Sequence, residues 1–222
     1  MNNKSINIKE RINFFEKNGY CISENFLNSE ECKELLRRML INWNNGNQSY
    51  IHSSPFRIHC PIKDNLFTRS IIKRFIKENK LLLKNFFEDD IFWLCELSSI
   101  CVFPNANRQV IHRDQSTHDK KLITCFINLF DVDENLGPLA VYEGGHKNIN
   151  EKDMDLNNMD LNNMTKLLIK AGSCVIMDSR LPHAGYENTS KNSIRPVFYF
   201  SLGDPNLYGP VYSMTDDLKK KI

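Results

Sequence analysis

The first third of the chain places apolar residues at helical spacing. In the clearest stretch they fall at positions 32, 35, 36, 39, 40 and 43, with charged residues between them. This spacing puts the apolar side chains on one face and predicts an amphipathic helix. Asn28, followed by Glu31 three residues later, has the spacing of a capping box at its start. Similar patterns predict helices over 8–17 and 65–88, and residues 19–22 are typical of a brief extended piece.

Beyond residue 90 the pattern changes to short apolar runs separated by turn residues. The runs cover 91–97, 100–103, 109–111, 122–130, 139–142, 173–177 and 197–202. Many short strands at such spacing are typical of a sandwich, barrel or jelly roll. No linker rich in Pro, Gly or Ser interrupts the chain. We therefore predict a single domain over 1–222, with a helical part at 1–90 and a β-core at 91–205.

One polar segment fits neither a helix nor a strand. Residues 154–158 have the sequence MDLNN, which is repeated at 159–163. A period of five residues matches neither the helical nor the strand repeat. We interpret residues 151–165 as a polar insertion at the surface.

Composition and charge exclude several classes of protein. The formal net charge is +2, so no strong field favours nucleic acid or an anionic membrane. No apolar stretch is long enough for a membrane span, and the N-terminus lacks the apolar segment of a secretory signal. The seven cysteines include no C-x-x-C pair, which argues against a disulfide framework or thiolate zinc site. Buried thiols in the reducing cytoplasm are the prediction.

A histidine and an aspartate two residues apart carry the first chemical signal. In an extended chain His112 and Asp114 point to the same face, so both can reach one metal ion. A third ligand must come from elsewhere in the fold, and His183, which follows a predicted strand, is the leading candidate. Two histidines and one carboxylate form the facial triad of non-haem Fe(II) oxygenases, in which open positions remain for a chelating co-substrate and O₂.

A single arginine strengthens this interpretation. Arg195 lies twelve residues after His183 and just before a predicted strand. A guanidinium in that place can hold a carboxylate through a two-pronged, charge-assisted hydrogen bond.

The order of these motifs resembles the phytanoyl-CoA dioxygenase family of Fe(II)- and 2-oxoglutarate-dependent oxygenases. His112-Arg113-Asp114 matches the family's H-x-D motif. The other similar pieces are residues 14–20, 26–31, 135–139, 143–147, 171–178 and 183–190, and Arg195.

The resemblance implies a fold, a cofactor set and a reaction. The fold would be a double-stranded β-helix, a cupin-like jelly roll flanked by α-helices. His112, Asp114 and His183 would bind Fe(II), and Arg195 would bind the far carboxylate of 2-oxoglutarate. The reaction would consume O₂ and hydroxylate a small molecule, with release of succinate and CO₂. Because Asp114 is present, halogenation, which needs that position free for halide, is disfavoured.

Further residues are candidates for the same site. Thr124 and Gln109 are candidates for contacts with 2-oxoglutarate. Arg57 and His59 share one face if their segment is extended, and with Arg108 they are candidates for the substrate pocket.

Two other functions remain open at this stage. One is a different metal-dependent enzyme on a cupin-like scaffold, such as an isomerase or a zinc hydrolase, which would work without 2-oxoglutarate. The other is a non-catalytic binding module of the same fold, which would hold no stoichiometric metal. In each case we expect a small-molecule ligand, no nucleic acid or membrane partner, and a monomer or homodimer.

Overall fold

The computed structural model describes residues 7–44, 51–54, 56–88, 93–115, 121–147, 156, 159–203 and 220–221. Its helices are α1 (Ile8–Asn18), α2 (Ser29–Asn44), α3 (Leu66–Glu78) and α4 (Lys80–Phe87). Its strands are β1 (Tyr20–Ser23), β2 (Ile51–Ser54), β3 (Arg57–Pro61), β4 (Trp93–Val102), β5 (Leu122–Asn128), β6 (Leu139–Val141), β7 (Thr165–Leu167), β8 (Cys174–Asp178), β9 (His183–Gly185), β10 (Arg195–Gly203) and β11 (Lys220–Lys221).

The strands form two antiparallel sheets. The larger has the order β1-β8-β5-β10-β4-β3-β2, with β11 beside β4, and the smaller has the order β7-β6-β9. Strands distant in sequence lie side by side, so the sheets are built by long-range pairing. The predicted mainly β core with N-terminal helices is confirmed.

The long strands separate two environments by the alternation of their side chains. On β5, the odd-numbered residues Ile123 and Cys125 belong to the main hydrophobic cluster with helix residues such as Phe75. The even-numbered residues Phe126 and Asn128 instead line an internal cavity. Because successive side chains of a strand point to opposite faces, the helices cover one face of the large sheet and leave the other for the site.

The N-terminal third is less helical than its pattern suggests. β1 confirms the extended piece, but β2 and β3 also lie within residues 1–90. The helical pattern over 65–88 is divided into α3 and α4 at Asn79, whose side chain donates to the carbonyl of Phe75. Pairing with β4 supplies β3 with hydrogen bonds that no local pattern encodes.

One predicted strand of the β-core is not formed, and the predicted polar insertion is described only in part. Residues 109–111 form no regular strand, and His112 makes one isolated bridge to His183. Most of residues 151–158 lies outside the described residues, while Leu161–Asn163 forms a short 3₁₀ helix before β7 begins at Thr165.

All seven cysteines are free and buried, as predicted. Among the described helices, none combines the length and hydropathy that crossing a bilayer requires.

Candidate metal centre

Strand register arranges the interior side chains in rows across the large sheet. Arg57 of β3 and Arg195 of β10 both pair with Val102 of β4, so these three residues form one row. The next row is His59, Ile100, Val197 and Asn128, and further rows hold Tyr199 with Phe126 and Ser201 with Thr124. Paired residues point to the same face. Polar side chains from the three strands β3, β5 and β10 therefore meet inside the barrel.

His112, Asp114 and His183 converge although 69 residues separate the last two. One potential ligand atom from each lies within 4.8 Å of the others. Nε2 of His183 is 3.5 Å, and Nε2 of His112 3.9 Å, from Oδ1 of Asp114. The two histidines also pair through their backbones, since each amide donates to the other's carbonyl, at 3.0 and 2.9 Å. The fold itself thus brings the two imidazoles to the same carboxylate.

Both imidazoles are held in the tautomer that metal binding requires. Nδ1 of His112 is 2.9 Å from the carbonyl of Val110, and Nδ1 of His183 is 2.9 Å from the carbonyl of Leu181. Because a carbonyl only accepts, each Nδ1 carries the proton and each Nε2 keeps its lone pair. Burial lowers the pKa of His183 to about 4, which keeps this ring neutral at neutral pH. Two imidazole nitrogens and one carboxylate oxygen are the donor set that suits Fe(II).

The hydroxyl of Thr124 contacts the second carboxylate oxygen of Asp114. The Thr124 hydroxyl lies 3.4 Å from Oδ2 of Asp114, and also 2.8 Å from Oγ of Ser179 and 3.2 Å from Oγ of Ser201. Thr124 is 1% exposed. A hydrogen-bonded hydroxyl behind a ligand carboxylate fixes the direction in which its other oxygen points.

Replacing Thr124 by Val is expected to weaken metal binding about tenfold, because the shape is kept while the hydrogen bond to Asp114 is lost. Titration of the purified protein with Co(II), followed by calorimetry and the visible spectrum, measures this. Thr124→Ser keeps the hydroxyl and is the matched control. Equal Co(II) affinity in Thr124→Val and the wild type would show that the contact does not orient Asp114.

Arg195 is a buried cation beside this cluster. It is 5% exposed, and its Nη1 donates to Oδ1 of Asn128 at 3.3 Å. Its Nε is buried and has no hydrogen-bond partner among the described residues. Burial, together with the charge of Arg57, lowers the pKa of Arg195 to about 9, so the guanidinium stays charged at neutral pH. A buried cation whose partner in the described part of the chain is a neutral amide suits an anionic ligand.

One cavity of about 350 Å³ joins these groups. Its lining contains the three clustered residues and Arg195, and also the predicted Gln109, Arg57 and His59. Oε1 of Gln109 accepts from the amide of Gly185 at 2.9 Å.

Two predicted contact residues and two further histidines lie elsewhere. Thr124 is behind Asp114 rather than in the cavity lining. Arg108 is exposed, with its guanidinium 5.7 Å from the ring centre of Tyr186, and lines a separate surface depression. His146 is buried, with Nε2 3.2 Å from the carbonyl of Glu16, and His118 lies outside the described residues.

The sequence reasoning missed several polar residues that line the cavity, among them Glu96, Asn128 and Tyr199. The hydroxyl of Tyr199 donates to Oε1 of Glu96 at 2.6 Å, and that of Ser201 to Oε2 at 3.2 Å. Burial, reinforced by the charge of Glu96, raises the pKa of Tyr199 well above its usual value. Glu96 is the one charged residue of β4. An acid within an otherwise buried strand was the signal that could have identified it.

Comparisons with known proteins give consistent results. A family model described as Phytanoyl-CoA dioxygenase (PhyH) matches residues 15–197. A comparison with curated proteins finds no match.

Solved structures share the fold. The non-heme alpha ketoglutarate dependent carbocyclase SnoK from nogalamycin biosynthesis is 16% identical, with a TM-score of 0.69 over 91% of this chain and 85% of its own. HygX from Streptomyces hygroscopicus, solved with nickel and 2-oxoglutarate bound, is 14% identical, with a TM-score of 0.64 over 96% and 94%. The epimerase SnoN, in complex with Fe3+, alpha ketoglutarate and nogalamycin RO, is 14% identical, with a TM-score of 0.68 over 89% and 84%. With the two-sheet topology, they confirm the predicted jelly-roll core.

Proposed function

Because this chain belongs to the phytanoyl-CoA dioxygenase family, we propose that it is an Fe(II)- and 2-oxoglutarate-dependent oxygenase that hydroxylates a small molecule. The observation that carries the proposal is the convergence of His112, Asp114 and His183 beside the buried Arg195 in one cavity. SnoK and SnoN, which share the fold, are named as alpha ketoglutarate dependent enzymes.

The three clustered side chains would hold the iron. Nε2 of His112, Nε2 of His183 and Oδ1 of Asp114 are the available ligand atoms, since Nδ1 of each ring is engaged by a carbonyl. Bound iron supplies the activation of O₂ that couples oxidative decarboxylation of 2-oxoglutarate to substrate hydroxylation. The chain contributes the orientation of the ligands, in part through the Thr124 hydroxyl behind Asp114.

Arg195 would hold the far carboxylate of 2-oxoglutarate. Its guanidinium is oriented by Asn128, and its unpartnered Nε remains to donate. The side chains of Ile100, Val197 and Phe126, which also line the cavity, exclude water from the co-substrate and strengthen the ion pair. Gln109 stays a proposed neighbour of the co-substrate, whereas we assign Thr124 to the support of Asp114.

Substrate contacts are proposed for Arg57 and His59, which line the cavity. Arg108, which lies at the separate depression beside Tyr186, is not part of this proposal. The buried free thiols suit a reducing compartment, and we place the enzyme in the cytoplasm.

Succinate formation tests the function directly. The purified chain is loaded anaerobically with Fe(II) and 2-oxoglutarate, O₂ is admitted, and succinate is quantified without and with a panel of small molecules. We expect slow succinate formation that requires Fe(II), 2-oxoglutarate and O₂ together. A stoichiometric metal without any binding of 2-oxoglutarate would indicate the other metal enzyme, and absence of a stoichiometric metal would indicate a binding module.

A further inference from the structure

A second guanidinium is buried in the same cavity as Arg195. Arg57, at the start of β3, is 1% exposed. Its Nη2 faces the carbonyls of Asn107 at 3.1 Å, Gly185 at 3.4 Å and Tyr186 at 2.9 Å. These partners are neutral, and in the described part of the chain no carboxylate lies within salt-bridge distance of Arg57. A buried cation without a counter-charge is unfavourable unless a ligand supplies one.

The two guanidiniums lie in one row but on different strands. Both Arg57 and Arg195 pair with Val102, from opposite sides of β4. Their backbones are therefore about 10 Å apart, since neighbouring strands are spaced by about 4.8 Å. Burial lowers the pKa of Arg57 to about 10, which still leaves it charged at neutral pH. A single carboxylate on Arg195 leaves the charge of Arg57 unpaired.

The wall around Arg57 also has hydrogen-bonding nitrogens without partners. Nε of Arg57 and Nε2 of His59 are both buried and make no hydrogen bond to any residue that the structure describes. Burial, followed by the charge of Arg57, lowers the pKa of His59 to about 4, so its ring is neutral at neutral pH. Arg57 and His59 lie on the same face of β3, two residues apart. Buried nitrogens without partners on one cavity wall indicate a polar ligand at that wall.

The two carboxylates that line the cavity, Asp114 and Glu96, contact groups other than Arg57. Asp114 faces the two imidazoles and Thr124. Glu96 accepts from Tyr199 and Ser201, and it lies six residues along β4 from Val102, or about 20 Å at the usual rise of a strand. Neither acid neutralises the guanidinium of Arg57.

The backbone fixes Arg57 close to the proposed reaction centre. A Cβ at Gly185 would lie 2.6 Å from Nη1 of Arg57, so the guanidinium packs directly against the backbone of Gly185. Gly185 follows His183 by two residues on β9 and shares its face, about 7 Å along the strand. An anion held by Arg57 is thus near the candidate metal centre without occupying it.

We propose that Arg57, assisted by His59, binds an acidic group of the substrate, which makes the substrate a small carboxylic acid. This inference rests on the proposed function, because it assumes that Arg195 takes the far carboxylate of 2-oxoglutarate. The cavity of about 350 Å³ must hold both molecules. This volume is near the lower end for ligand sites, so it selects a compact acid.

Matched pairs of ligands test the proposal. The chain is loaded with Ni(II) and saturated with 2-oxoglutarate, and ligand-observed NMR then gives the affinities of benzoate, cinnamate and hexanoate and of their primary amides. We expect each acid to bind at least about tenfold more tightly than its amide, because a buried charge-assisted pair is replaced by a neutral one. Arg57→Gln should bring this ratio close to one and lower the affinity for 2-oxoglutarate by a much smaller factor, since Arg57 acts on the Arg195 site only through its charge at a distance. Arg37→Gln, which alters an exposed arginine of α2, is the control.

The possible results distinguish failure of the acid-binding proposal from failure of the proposed function. Acids that bind no better than amides, or do not bind up to 10 mM, overturn the proposal, as does a preference that survives Arg57→Gln. A loss of affinity for 2-oxoglutarate in Arg57→Gln that equals or exceeds the loss for the acids would assign Arg57 to the co-substrate. If the wild type does not bind 2-oxoglutarate at all, the proposed function fails instead. Should Arg57→Gln not fold, a crystal of the wild type with Ni(II), 2-oxoglutarate and benzoate decides by whether the benzoate carboxylate contacts Arg57.

Discussion

Replacing His183 by Ala is expected to reduce iron affinity by more than about 100-fold and to abolish succinate formation, because loss of a direct ligand exceeds the 10- to 100-fold cost of losing a supporting contact. His183 is 3% exposed, and its Nε2 is the atom nearest to Oδ1 of Asp114 among the candidate nitrogens. Among the described residues, His112 is the only other imidazole within 4 Å of that carboxylate, and it is already one of the three proposed ligands, so no imidazole is left to take the place of His183. Calorimetry with Fe(II) under anaerobic conditions and a succinate assay measure the two effects.

His146→Ala is the matched control for this experiment. His146 is also buried, but its Nε2 lies against the carbonyl of Glu16 and it is not part of the cluster. We expect this variant to lose thermal stability and keep one bound iron per chain. Stoichiometric iron in His183→Ala would contradict the assignment, and loss of iron in His146→Ala would show that the assay reports unfolding.

Replacing Arg195 by Gln is expected to raise the KM for 2-oxoglutarate about 100-fold, because removing one partner of a buried charge pair costs 2 kcal/mol or more. The metal site should stay intact, since Arg195 contacts Asn128 and none of the three clustered residues. Arg195→Lys keeps the charge but loses the two-pronged geometry, and we expect an intermediate KM.

Initial rates of succinate formation at varied 2-oxoglutarate concentration measure this effect, and iron binding is measured in parallel. Arg37→Gln, at an exposed site on α2, is the control for the same chemical change. An unchanged KM in Arg195→Gln would show that Arg195 does not bind 2-oxoglutarate. Arg57, the other buried arginine that lines the cavity, would then be tested in the same way.

The local pattern of the sequence predicted those features of the fold and site that depend on residues close together in the chain. The strands β4, β5, β6, β8 and β10 and the buried cysteines follow from hydrophobic runs, whereas the short strands β7 and β9 do not, and the ordered motifs around His112 and Asp114 identified the family. The position of Arg57 could only be predicted conditionally, as sharing a face with His59 if the segment were extended. β3 meets that condition because it pairs with β4, about forty residues away.

Register between distant strands could not be predicted from local pattern. The row of Arg57, Val102 and Arg195 exists because β3, β4 and β10 pair in one particular alignment. A shift by one residue would turn every side chain of a strand to the opposite face. The same reason applies to polar residues within apolar runs, such as Glu96 and Asn128. The sequence shows that they are unusual in a buried strand, but only the strand alignment shows that they face the cavity.

The mutual main-chain bonds between His112 and His183 have a consequence for how the enzyme is handled. These hydrogen bonds fix the backbones of both histidines relative to each other. The ligand geometry therefore forms when the barrel folds, before any metal ion binds. Stripping the protein with a chelator should therefore leave a native apo-form that can be recharged with cobalt, manganese or iron. Such interchangeable preparations allow spectroscopic, paramagnetic and catalytic work on a single batch.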